Sequence, residues 1–187
     1  MLSIATILIN FALILLFVRF LTQLAQIDRF NAVVIALNKA TAFLDVMAKA
    51  IPHAAKGKVN LSALVLIVLL YLAKMMVLAQ FAPEGQGIYS IEHLVILTFV
   101  TMIEDLIDFC RLLIFAAILL SWVTMFSQSR SAYIDFVQDL AEPLFAPFRR
   151  ILPNTGMIDL APIAAILALI LAENIMQSVS QFLLAGF

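Results

Sequence analysis

The chain is poor in almost every residue from which catalytic or cofactor centres are built. Of 187 residues only 12% are charged, two are histidine, one is cysteine, one is tryptophan and five are glycine. Cys110 sits inside an apolar run, so no internal disulfide forms and the redox compartment cannot be read from it. His53 and His93 lie far apart and lack helical ligand spacing, so there is no ligand set for zinc, haem or an iron–sulfur cluster. No glycine-rich phosphate loop and no nucleophile–base pair is visible, which disfavours an enzyme and leaves no cofactor to expect. A net charge of -1 gives no field to draw in nucleic acid or acidic substrates.

What is present is hydrocarbon. Hydrophobic residues make up 65% of the chain, and the mean hydropathy is +1.12. Soluble domains are roughly 45–50% apolar and about 25% charged. A soluble fold of this size leaves ~30% of its extended-chain surface in water, too much for this composition. The expected class is an all-α integral membrane protein.

Crossing a bilayer core of ~30 Å takes ~20 mostly apolar residues. Ile4–Leu24, Leu61–Phe81 and Leu160–Leu184 each meet that length. The run Ile91–Phe126 overshoots it, reaching roughly 54 Å as one helix at ~1.5 Å per residue. Glu104, Asp105 and Asp108 interrupt this run, so the crossing is placed from Ile107 to Thr124, with residues 90–103 as an interfacial extension. Four spans result.

Two further segments are amphipathic. Tyr133, Phe136, Val137, Leu140 and Leu144 share one helical face within Ser131–Ile151, opposite Asp135, Gln138, Asp139 and Glu142. Pro143 and Pro147 are expected to break or kink that helix. Within Val33–Ile51, Val33, Leu37, Ala40, Leu44, Met47 and Ile51 form a similar stripe. Each reads as a helix in the membrane interface, with burial against protein as the alternative. Eight of the eleven Lys and Arg residues fall in the two segments that carry these stripes. The positive-inside rule then makes both segments cytoplasmic and both termini external.

The order span, amphipathic segment, span occurs twice. Pro52 matches Pro153 at an offset of 101, and the last span matches the second at 99. Residues 1–81 form a first repeat, 82–90 a short external loop and 91–187 a second repeat. Two spans per copy give both copies one orientation, related by an axis along the membrane normal.

The second copy carries a dense motif. Ser121-Trp122 ends one span, and Pro143-x-x-x-Pro147-Phe-Arg149-Arg150-Ile-Leu-Pro153-x-x-Gly156-x-x-Asp159 precedes the next. This combination resembles the signature of the YggT family, and length and tandem plan agree over nearly the whole chain. The first copy keeps Arg19, Gln23, Pro52 and Gly57 but lacks the tryptophan, the paired arginines and the aspartate. The resemblance implies a small bacterial inner-membrane protein linked to osmotic or ion homeostasis, with relatives tied to cell-division gene clusters and, in plastids, to cytochrome assembly and nucleoid organisation. It carries over no catalytic residue.

Read physically, Arg149 and Arg150 sit where anionic headgroups lie, each cation contributing ~1 kcal/mol there. Asp159 suits the N-cap of the last span, and Gly156 a turn with positive φ. The motif serves as a structural turn setting helix depth, as a dock for lipid or a partner, or directly in transport. Inside the spans, Lys74 and Glu173 are repeat-equivalent and are expected to pair directly. Asn10, Asp108 and Arg111 complete a polar layer, either a structural pairing or an ion path. Glu104, Asp105 and Asp108 read as a solvated helix end, with a hard-cation site as the alternative. The expected role is a membrane assembly or scaffold factor whose partners are the bilayer, a second copy or other membrane proteins; the alternative is a small oligomeric channel or transporter component.

Overall fold

The computed structural model describes residues 4–42, 61–80, 91–127, 131–152 and 159–184. Among them it is helical throughout: α1 (Ile4–Leu24), α2 (Ala32–Ala40), α3 (Leu61–Gln80), α4 (Ile91–Ser127), α5 (Ala132–Ile151) and α6 (Ala161–Leu184). Three helices, α1, α4 and α6, are long and apolar enough to cross a membrane, and α3 adds a shorter apolar stretch, Ala63–Ala79. Pro52, Lys49, Lys56, Lys58, Arg130, Pro153 and Gly156 lie outside the described residues, as does the second half of the expected Val33–Ile51 stripe.

α1 ends in a turn that needs no glycine. Gln26 takes φ 54, and the Ile27 N–H reaches back to the Thr22 carbonyl at 3.2 Å. That six-to-one bond closes a left-handed helix cap, and Ile27 packs on the core beneath it. Asn31 then caps α2, its side chain accepting from the Val33 N–H at 2.9 Å. α2 lasts nine residues before its C-cap, Thr41. Its buried face is Val34 and Leu37, and Ala40 is exposed, so the expected stripe is turned by one residue and interrupted at Thr41.

α4 is one unbroken helix of 37 residues, roughly 55 Å at ~1.5 Å per residue. The helix runs unbroken past Glu104, Asp105 and Asp108, as the continuous helical reading of Ile91–Phe126 expects. α4 organises the bundle, packing on α3, α5 and α6. One cluster joins α1, α3 and α4 through Leu13, Leu16, Phe17, Ile67 and Tyr71, with Phe17 stacked on Phe109 at 6.0 Å. A second joins the other end of α1 to α2, α4, α5 and α6 around Ile114, Phe136, Leu140, Ala141 and Phe145.

α5 runs through both prolines without a break, so of the break or kink expected at Pro143 and Pro147 the break does not occur. Each proline removes one backbone donor, leaving the carbonyl four residues earlier without its helical partner. The buried face, Phe136 to Phe145, keeps the segment helical; tertiary packing overrides propensity here. That face packs on the other helices, and Tyr133, expected in the stripe, is exposed.

Candidate functional site

Of the motif residues, Ser121, Trp122, Arg149 and Asp159 converge where the end of α4, the polar side of α5 and the start of α6 meet. Ser131 starts α5 by accepting from the Ile134 N–H, and the helix carries Glu142, Phe145 and Arg149 along one flank. Arg149 folds back over the Phe145 ring, its guanidinium carbon 5.5 Å from the centroid. Its Nη1 donates to both Glu142 oxygens, at 2.6 Å to Oε1. Its Nε and Nη2 reach Asp159 Oδ2 at 2.9 and 2.8 Å. Asp159 uses its other oxygen, Oδ1, to accept from the Ala161 N–H at 2.9 Å, as a helix cap should.

One arginine therefore clamps α5 to the first turn of α6. Partial burial works to lower the Arg149 pKa, but hydrogen bonds and charge from Glu142 and Asp159 push it above the ordinary guanidinium value. Beside the clamp lies a groove of about 660 Å³, lined on the apolar side by Ile118, Trp122, Met125 and Ile163 and on the polar side by Gln138, Asp139, Glu142, Arg149 and Asp159. Trp122 is 56% exposed along this groove. Arg150 is exposed and has no ion-pair partner among the described residues. Of the two arginines expected to face headgroups, Arg149 is thus held by two carboxylates.

The charges within the long helices form separate pairs, and the expected Lys74–Glu173 contact is not among them. Lys74 Nζ donates to Asp105 Oδ2 at 2.8 Å and lies 5.2 Å from the centre of the Tyr71 ring. The fully buried Tyr71 hydroxyl donates to the same Asp105 oxygen at 2.9 Å. Glu173 accepts from Arg111 Nη2 at 2.5 Å, and Arg111 also holds Asp108 at 2.8 Å. Successive steps of three residues on a helix turn about 60° backwards at 3.6 residues per turn. Asp105 and Arg111 thus point about 120° apart, one at α3 and the other at α6. Within the acidic trio, Asp105 is thus taken up by Lys74 and Asp108 by Arg111. Among the described residues, no group of three His, Cys, Asp or Glu side chains is placed to hold a metal ion.

Asn10 is half-buried on α1 and makes no side-chain hydrogen bond among the described residues, so it stands outside the polar layer. Sequence reasoning missed Asp105 and Tyr71 as partners of Lys74, although the helical turn from Arg111 to Asp105 was readable. It also missed the role of Arg19, which is 5% exposed and donates from Nη1 to the Thr41 carbonyl at 2.7 Å and hydroxyl at 2.6 Å. This bond ties α1 to the C-cap of α2. No spacing rule finds it, since one acceptor is a backbone oxygen.

Comparison with known proteins places this geometry. The CCB3/YggT family profile matches residues 96–180, a stretch holding both flanks of the groove and the entire clamp. An uncharacterized protein of Pseudomonas aeruginosa is 32% identical over 163 residues, covering 86% of this chain and 80% of its own. The chain belongs to the CCB3/YggT family. A second relative, an uncharacterized protein of Haemophilus influenzae, is 27% identical over 169 residues, covering 90% of this chain and 86% of its own. No solved structure matches the chain. As a YggT-family chain with three long apolar helices, this is a membrane protein.

Proposed function

We propose that this chain is a four-span inner-membrane protein, built from two parallel repeats, that serves without enzymatic activity as a membrane assembly or scaffold factor in osmotic or ion homeostasis. Three features support the repeat. α2 and α5 begin at Ala32 and Ala132, and α3 and α6 at Leu61 and Ala161, both at an offset of 100. The capping residues Asn31 and Ser131 keep the same offset, and Asn31 Nδ2 lies 3.5 Å from the Ala132 carbonyl. The positive charges then put α2, α5 and the clamp on the cytoplasmic side, with both termini outside.

The observation that carries the scaffold reading is the pairing of the cations in the long helices. Lys74 and Arg111 are each held by a carboxylate, and Arg19 by Thr41. Charges matched this closely lock helices together and, among the described residues of the long helices, leave no cation bare for a passing ion. Arg150 remains for anionic headgroups. Reconstituted into liposomes, the purified protein is expected to give no potassium or proton flux above empty vesicles. A robust flux that disappears in E173Q would replace the scaffold with the channel reading. One observation favours that second reading: the side chains of Asp108, Arg111 and Glu173 are 67%, 36% and 29% exposed, so this polar set lies on the flank of the bundle.

A further inference from the structure

α6 is the least covered of the long helices. Of its most apolar 18-residue window only 6% is buried, against 33% for α1 and 28% for α4. Its exposed face is ordered. Ile163, Leu167, Ile170, Asn174, Gln177 and Gln181 are all exposed and follow one another at steps of four, three, four, three and four. That alternation is the 3.5-residue repeat with which one helix packs against a parallel neighbour as knobs into holes. The face is aliphatic over its first half and carboxamide over its second.

Exposed aliphatic side chains in a lipid-crossing helix require no partner. Exposed carboxamides do. Asn174 lies about 20 Å along the axis from Ala161, at ~1.5 Å per residue, well inside a hydrocarbon core. Its Nδ2 donates to the Ile170 carbonyl at 2.9 Å, leaving Oδ1 and one N–H outward. Gln177 and Gln181 make no side-chain hydrogen bond among the described residues. Lipid tails offer nothing to these groups, and interhelical hydrogen bonds are what satisfies such side chains in membranes.

The composition of the face selects the partner. It carries no charge, and each Asn or Gln holds both a donor and an acceptor. Such a surface complements itself: Asn174 can face Asn174 and Gln177 can face Gln177, whereas a row of like charges would repel its own copy. Copies inserted with the same orientation are parallel, as the seam requires. We propose that two copies of this chain pair along α6 through Ile163, Leu167, Ile170, Asn174, Gln177 and Gln181. The inference rests on the proposed crossing of α6.

The test uses the full chain in native membranes. Under mild oxidation, Q177C is expected to form a disulfide-linked homodimer, whereas I175C, at an exposed position about 160° around the helix, does not. N174V is expected to raise the dimer dissociation constant in lipid about tenfold, as measured by energy transfer between labelled copies. F182C, off the seam at the same end of α6, is expected to react with a membrane-impermeant maleimide from the outer side. F182C labelled from outside, with no Q177C homodimer and no energy transfer, would remove the seam alone. F182C shielded from the outside would remove the crossing of α6 and the seam with it. A Q177C adduct to a different membrane protein in place of the homodimer would also overturn self-pairing.

Discussion

The two halves of the molecule treat their cations in opposite ways. In the first half Arg19 and Lys74 are buried, at 5% and 9% exposure; Arg19 donates to Thr41 and Lys74 to Asp105. In the second half Arg111 and Arg149 are partly exposed, and each spans two carboxylates. A buried ammonium needs one close counter-charge and a rigid setting, because an uncompensated ion in low dielectric is heavily destabilising. A guanidinium near the surface can divide its five donors between partners at little desolvation. The first half thus uses charge as a fixed lock. The second uses it as a clamp beside an open groove, and the family profile falls on that half.

The largest effect should come from opening the lock. K74A leaves Asp105 with only the Tyr71 hydroxyl, and stability should fall by about 2 kcal/mol, less than for a fully buried pair because the Asp105 side chain is 39% exposed. Replacing both partners, as in K74M/D105L, should restore stability to within about 1 kcal/mol, since no lone charge remains. Thermal unfolding in detergent reads both. A K74A protein as stable as the parent would mean that the Lys74–Asp105 pair does not hold α3 to α4.

The clamp should respond less, because its members are 43–51% exposed and exposed ion pairs contribute at most about 1 kcal/mol. Asp159 is the exception, since it also caps α6. D159A should cost about 1–2 kcal/mol by losing cap and clamp together, D159N less by retaining the cap. R149K should behave more like R149A than like the parent, because an ammonium cannot span Glu142 and Asp159 with a planar fork. Equal melting temperatures for D159A and D159N would show that the cap contributes nothing separate from the charge.

Much of this architecture is legible in the residues, and the parts that are not share a cause. The apolar runs are readable because membrane length and hydropathy act on each helix alone. The Asp159 cap is readable because capping acts within one turn. The Lys74–Glu173 pairing fails because equivalence between repeats states only that two residues share a depth. They meet only near the symmetry axis, and α4 stands between α3 and α6 with its own charges. The expected break at Pro143 and Pro147 fails for a related reason: the face from Phe136 to Phe145 is packed by helices distant in sequence. Where a bond is local the sequence speaks plainly; where the neighbour arrives from another element, it names the candidates and leaves the choice open.

Arg149 and Arg150 bring the comparison down to adjacent residues. Neighbours on a helix point about 100° apart, so Glu142 and Asp159 reach Arg149 while Arg150 stays exposed. R150Q should therefore leave stability within about 0.5 kcal/mol, the usual range for a surface substitution. Its effect should appear in lipid preference instead, because a cation at an anionic surface contributes about 1 kcal/mol, close to fivefold in local partitioning. Trp122, the only tryptophan in the chain, stands exposed in the groove beside the clamp and reports on the lipid around it. Quenching by a brominated anionic lipid, relative to a brominated zwitterionic one, should weaken up to about fivefold in R150Q. R149Q should alter that preference less and lower the melting temperature more. If R150Q kept the full anionic preference, headgroup contact would have to be assigned to cations elsewhere in the chain, and the division of labour between the two arginines would reduce to the clamp alone.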